Sequence, residues 1–145
     1  MRILLQRVLS ASVEVDGKKV GAIGQGLLLF VAFGKEDRDE VVPAAVRKVK
    51  EMRIFSDANG KLNLSLEEIG GQALVVSQFT LYANCTRGRR PDFTPAASPA
   101  QAEHLYSLFI HQLRAEGIHT QTGIFAADMK VSLVNDGPVT FHLEF

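Results

Sequence analysis

The sequence has one cysteine, no tryptophan, five prolines and no net charge across its 145 residues. Each scarcity closes off a class of protein. The lone thiol, Cys85, cannot form an intrachain disulfide, so stability has to come from a packed apolar core. Sixteen Lys and Arg balance sixteen Asp and Glu, which argues against a chain that coats nucleic acid through a strong overall field. Any RNA contact has to be local. The longest apolar run, Leu27 to Phe33, has the length of a buried strand and falls far short of a bilayer span, so no membrane insertion is expected. No cationic segment followed by a long apolar stretch opens the chain, and with the single thiol this points to a reducing cytoplasm.

What is present is a globular composition, 46% apolar and 22% charged, with no biased tract, repeat or linker. Residues 1–145 suffice for one hydrophobic core and are too few for two domains of ordinary size. The opening Ile3 to Leu9, then Ala11, Val13 and Val15 alternating with polar residues, reads as strand up to a hairpin turn at Asp16-Gly17. Val20 to Ile23 returns from it. After the apolar strand Leu27 to Phe33, the spacing of Val41, Val42, Ala45, Val46, Val49 and Met52 predicts an amphipathic helix. Short strand character at Arg53 to Phe55 ends in the turn Asp57 to Gly60, and a stronger strand runs from Ala73 to Tyr82.

Ser98-Pro99-Ala100-Gln101 supplies an N-cap, a proline at the first helical position and a glutamine spaced to close a capping box. The helix it starts buries Leu105, Leu108, Phe109 and Leu113 and stops at Gly117. Two strands close the chain, Met129 to Val134 and Val139 to Phe145, with a turn at Asn135 to Pro138 between them. The expected fold is α+β: a curled, antiparallel-rich sheet or barrel covered by two main helices.

Candidate chemistry narrows by elimination. His104, His111, His119 and His142 are scattered and show no zinc-binding spacing, so neither a metal nor another cofactor is expected. No serine stands in a nucleophile elbow, and Gly21, Gly24 and Gly26 precede a strand-like run where a phosphate loop would precede a helix. Arg87, Arg89 and Arg90 form a basic loop able to grip phosphates, which reads equally well as a solvated charge run. Two segments resist a composition-level account. Ser77, Gln78 and Thr80 put polar groups into a strand of buried-type residues, and Gly137-Pro138 denies a ladder donor between two strands.

Those two segments, SQFTL at Ser77 to Leu81 and NDGPVT at Asn135 to Thr140, resemble the signature motifs of the D-aminoacyl-tRNA deacylase family. Leu5 to Val8, Gly88 to Pro91 and Ala126 to Met129 resemble it too, so the likeness spans the whole chain. It implies a homodimer that hydrolyses the ester between tRNA and a D-amino acid or glycine. In that scheme Gly137-Pro138, as a cis dipeptide, projects from one subunit into the other's pocket and rejects L side chains. Arg7 holds the dipeptide. Ser77, Gln78, Phe79 and Thr80 line the pocket around the 3′-terminal adenosine and its amino acid, with the backbone amides of Phe79 and Thr80 as oxyanion donors. Thr80 as a nucleophile ranks second, having no identifiable base. The sequence departs from the usual family pattern at Ala83 to Thr86 and at Ile124, which touches tRNA contact and leaves the pocket motifs intact. The rivals are a related deacylase of altered chirality, an editing domain like that of some archaeal threonyl-tRNA synthetases, and a non-catalytic nucleic-acid-binding dimer.

Overall fold

The computed structural model describes residues 1–86 and 88–145. A long first strand, β1 (Arg2–Val15), organises everything else. On one edge it pairs antiparallel with β3 (Gly26–Ala32) along its first half and with β2 (Lys18–Ile23) along its second. The turn to β2 uses Asp16 and Gly17 at φ 49° and 73°, the left-handed pair that a two-residue hairpin requires. The other edge of β1 carries β8 (Lys130–Glu144) along nearly its whole length.

Beyond β3 the sheet becomes parallel. β6 (Gln72–Ser77) runs alongside β3, and β7 (His119–Thr122) alongside β6. Parallel neighbours need long crossovers, and both helices serve as them. The first crossover holds α1 (Val41–Glu51) and the small hairpin β4 (Phe55–Ser56) with β5 (Leu62–Leu64); the second holds α2 (Pro99–Ala115). At Gly21 a side chain would collide with the Thr122 carbonyl at 2.6 Å, so the free edges of β2 and β7 approach closely and the sheet nearly closes on itself. The α+β architecture with a curled sheet and two main helices is as the residue pattern suggested, with parallel pairs added.

Curling produces two cores. Ile3, Leu5, Leu27, Leu29, Ala73 and Val75 face the helices, meeting Val46 and Val49 of α1 and Leu105, Phe109 and Leu113 of α2. Val8, Ala11, Val13, Leu28, Leu74 and Val76 fill the inside of the curl. The strands β3 and β6 are therefore buried on both faces, which is why they read as unbroken apolar runs. Burying each Leu or Phe of α2 contributes about 1.5–3 kcal/mol.

Several expectations are corrected. The strand foreseen from Ala73 to Tyr82 ends at Ser77, and Phe79–Tyr82 forms a single turn of 3-10 helix. A short apolar run does not distinguish the two conformations. The strand foreseen at Arg53 to Phe55 lies at Phe55–Ser56. The closing strands are one strand, because β8 continues through Gly137 and Pro138. Ser98 caps α2 by accepting from the Gln101 amide at 3.4 Å, but the Gln101 side chain bonds the Lys35 and Asp37 carbonyls, so the capping box stays open. Tyr106 and Ile110 join the buried face of α2, and Leu108 is only partly buried. No helix among the described residues is long and apolar enough to cross a membrane.

Candidate functional site

The motif residues gather in two places of opposite shape. The first is a cleft of 430 Å³ at the end of β6. Its walls are aromatic and small: Phe79, Phe93, Phe125 and Tyr106 stand around Ala96, Ala97 and Ala102. Ser77 and Gln78 enter it from β6, and Gln78 makes the last ladder bond of that strand to the Val31 carbonyl at 2.8 Å. The chain then tightens into the 3-10 turn. Phe79 is 56% exposed, edge-on to Phe93 with ring centroids 4.9 Å apart, so a large apolar surface is held open at the rim. Thr80 is also exposed and does not line the cleft.

Helix starts leave amides without partners. Among the described residues, neither the Phe79 nor the Thr80 N–H finds an acceptor, while the Leu81 amide bonds the Gln78 carbonyl. Gln78 Nε2 donates to Thr80 Oγ1 at 2.6 Å, and an amide nitrogen is no base. Tyr106 donates to the Val75 carbonyl at 2.8 Å, and burial pushes its phenol well above the ordinary range. It is a fixed donor in the wall.

The second place protrudes. Gln6 pairs with Thr140 and Val8 with Asn135, so the four residues from Asp136 to Val139 stand opposite Arg7 alone and bow out of the ladder. Gly137 takes φ +139°, a conformation only glycine adopts freely, and its bond to Pro138 is cis. Both residues are exposed. The base is tied. Asn135 accepts from the Val139 amide at 2.7 Å and donates to Thr140 Oγ1 at 3.1 Å. Buried Arg7 donates Nε to the Asp136 carbonyl at 2.9 Å and Nη1 to the Ile54 carbonyl at 2.6 Å, with Asp136 Oδ2 at 3.2 Å.

Within one chain, Gly137, Pro138 and Arg7 do not line the cleft that holds Ser77, Gln78 and Phe79. The basic segment leaves the cleft as a narrow loop closed by reciprocal backbone bonds between Asn84 and Asp92 at 2.7 and 3.0 Å. Arg89 and Arg90 are exposed at its tip, whereas Arg87 lies outside the described residues. Thr94 hydroxyl and amide bonds hold the Asp92 carboxyl below its usual range. Sequence reasoning missed Phe93, Phe125 and Tyr106 as cleft walls and Asn135 as the tie across the protrusion. Asn135 stood inside a quoted motif, but the others reach the cleft from loops and α2.

Similarity to known proteins runs along the entire chain. Residues 4–144 match the family described as D-Tyr-tRNA(Tyr) deacylase. The D-aminoacyl-tRNA deacylase of Yersinia enterocolitica is 53% identical over 144 residues, covering 99% of both chains, and that of Shewanella amazonensis is 54% identical with the same coverage. Among solved structures, the c-Myc DNA Unwinding Element Binding Protein superposes with a TM-score of 0.94 at 38% identity, covering 100% of this chain and 99% of that one. A probable eukaryotic D-amino acid tRNA deacylase, 22% identical, covers 98% of each chain at a TM-score of 0.83 and shares the fold. The chain belongs to the D-Tyr-tRNA(Tyr) deacylase family.

Proposed function

We propose that this hydrolase cleaves the ester joining a D-amino acid to tRNA, and glycine mischarged on other tRNAs, at a site assembled from two copies of the chain. The observation that carries the reading is the pairing of shapes. An apolar cleft has open aromatic walls and few polar groups, and the protrusion at Asp136 to Val139, tied by Arg7 and Asn135, does not line it within its own subunit. Placed in a partner's cleft, the Gly137 and Pro138 carbonyls would hold the substrate's α-amino group and leave no volume for an L side chain. Glycine would pass. The flat walls around Phe79 and Phe125 suit a terminal adenosine, and Arg89 and Arg90 would meet phosphates farther along the tRNA.

The chemistry asks little of side chains. An aminoacyl ester is already activated, so positioning it beside water and stabilising the developing oxyanion is sufficient. The free amides of Phe79 and Thr80 are the donors in this scheme, and the 2′-hydroxyl of the terminal ribose assists proton movement. Against a nucleophilic Thr80 stands its hydrogen bond from Gln78, which cannot accept the hydroxyl proton. Thr80→Ala is expected to hydrolyse D-tyrosyl-tRNA within a fewfold of wild type. A loss of several orders of magnitude would favour the nucleophile instead.

Subunit mixing tests the shared site. A cleft-blocked variant, Ala97→Trp, and a variant lacking residues 137–138 should each be inactive alone. Equal mixtures after dissociation and reassociation should regain about a quarter of wild-type activity, since half the dimers are mixed and each holds one intact site. No recovery from correctly folded mixtures would refute the cross-subunit arrangement. A second reading, a nucleic-acid-binding dimer without catalysis, draws on the exposed Arg89 and Arg90 and on the name of the DNA-binding structural relative. Turnover of a D-aminoacyl ester ends it.

A further inference from the structure

Tyr82, the last residue of the 3-10 turn, is held from several sides. The Arg2 guanidinium lies over its ring, 4.5 Å from the centroid. Gly34 meets the ring where no side chain would fit, since a Cβ there would come within 2.8 Å of Tyr82 Cε1. The phenol donates to Asp37 Oδ2 at 3.3 Å, and the same oxygen accepts from the Gly34 amide at 2.7 Å. Burial, and then the Asp37 charge, push the Tyr82 phenol up to about 12 against the opposing pull of Arg2. It stays a protonated donor.

Arg2 does more than stack. Its Nη1 donates to the Leu81 carbonyl at 2.9 Å, and its Nε pairs with Glu144 at 3.0 Å, so it bridges the turn to the paired strands β1 and β8. A carbonyl at the C-terminal end of a helical turn is an unsatisfied acceptor, and a cation there is favoured. Four residues of 3-10 helix cannot hold their own geometry. Some external contact must.

We infer that Arg2 and Tyr82 are positioning residues for the reaction: they clamp the far end of the Phe79–Tyr82 turn to the sheet and thereby set the direction of the amides at its near end. The inference rests on the reading of the Phe79 and Thr80 amides as oxyanion donors. Preorganised donors act only when already placed where charge develops, and a displacement well under the length of a bond is felt in the rate. Neither residue touches the cleft, so the effect should fall on turnover more than on binding.

The test uses the full-length protein and D-tyrosyl-tRNA. Arg2→Gln should lower kcat roughly tenfold while KM stays near the wild-type value, and thermal melting and near-ultraviolet circular dichroism should report a folded protein. Arg2→Lys, which keeps a cation over the ring, should recover most of the loss. Gly34→Ala, pressing on the ring through a different contact, should reproduce the kcat defect, and it decides the matter alone if Arg2→Gln does not fold. Wild-type kcat in Arg2→Gln, a change carried wholly by KM, a loss that only tracks the folded fraction, or no recovery by lysine would each overturn the inference. Thr80→Pro separates its failure from that of its premise, because proline removes the amide hydrogen. Undiminished turnover in Thr80→Pro would sink the donor reading, whereas an inactive Thr80→Pro beside an active Thr80→Ala and an unaffected Arg2→Gln would leave the donors standing and remove only the clamp.

Discussion

The cleft and the protrusion are built by opposite means. Walls of the cleft come from five separate stretches, β3, β6 with its 3-10 turn, the loop after it, α2 and the segment before β8, and they meet through apolar contact. The protrusion comes from four consecutive residues and is held by polar bonds: one buried arginine, one asparagine and a carbonyl from Ile54. Contact between many apolar groups tolerates small changes, because each contributes little. A structure hung on a few directional bonds does not, so the protrusion should be the more fragile of the two.

Mutations can break or sharpen that contrast. The largest effect is expected from Arg7→Ala, which strands the Ile54 and Asp136 carbonyls. Hydrolysis of D-tyrosyl-tRNA in single turnover should fall roughly a hundredfold, and urea unfolding should show a loss of about 2–3 kcal/mol. Arg7→Lys should not rescue it, because an ammonium group cannot reproduce the guanidinium fork. A rate within threefold of wild type would end the claim that the protrusion depends on this residue.

Gly137→Ala comes next. The added Cβ would stand 2.7 Å from Val139 Cγ2 at a φ of +139°, costing about 1–3 kcal/mol locally, and the D-ester rate should fall roughly tenfold. By contrast Phe93→Leu, in the cleft wall, keeps an apolar surface and should alter kcat/KM only about two- to threefold. If Phe93→Leu proves worse than Gly137→Ala, the contrast is inverted. Replacing Arg89 and Arg90 together by Gln should raise KM for tRNA several-fold and flatten its dependence on salt by about 1.5 log units per log unit of salt.

The smallest effect concerns Asp57, beyond both regions, whose carboxyl accepts from the Asn59 and Lys61 amides and closes the β4–β5 turn near Ile54. Backbone bonds from Lys61 and then Asn59 lower its pKa. A depressed folded value means that its contribution is present above the unfolded pKa and is lost as pH falls through the folded one. Wild type should therefore melt slightly above Asp57→Asn at neutral pH, and the gap should close below about pH 4. A gap independent of pH would show that the turn does not need the charge.

Much of this was legible in advance where local chemistry is decisive. The Asp16-Gly17 turn, the Ser98 cap with Pro99, and Gly117 at φ 82° after α2 follow from residues whose conformational preferences are strong and short-ranged. Elsewhere the pattern misled. His119–Thr122 went unseen as a strand because its sequence, HTQT, has no apolar alternation; it is recruited by parallel pairing with β6. The run ending at Tyr82 looked continuous because an apolar residue suits a strand and a cleft rim equally.

By itself, the sequence determined the class of fold, the ends of α2 and the two motifs, since turn and cap chemistry and apolar periodicity act within a few residues. Only the tertiary structure decided that the Ile54 carbonyl would anchor Arg7, that Phe93, Phe125 and Tyr106 would wall one cleft, and that Arg2 would reach Tyr82. Those are contacts between segments tens of residues apart, and the curl of the sheet, which no local preference encodes, is what brings them together.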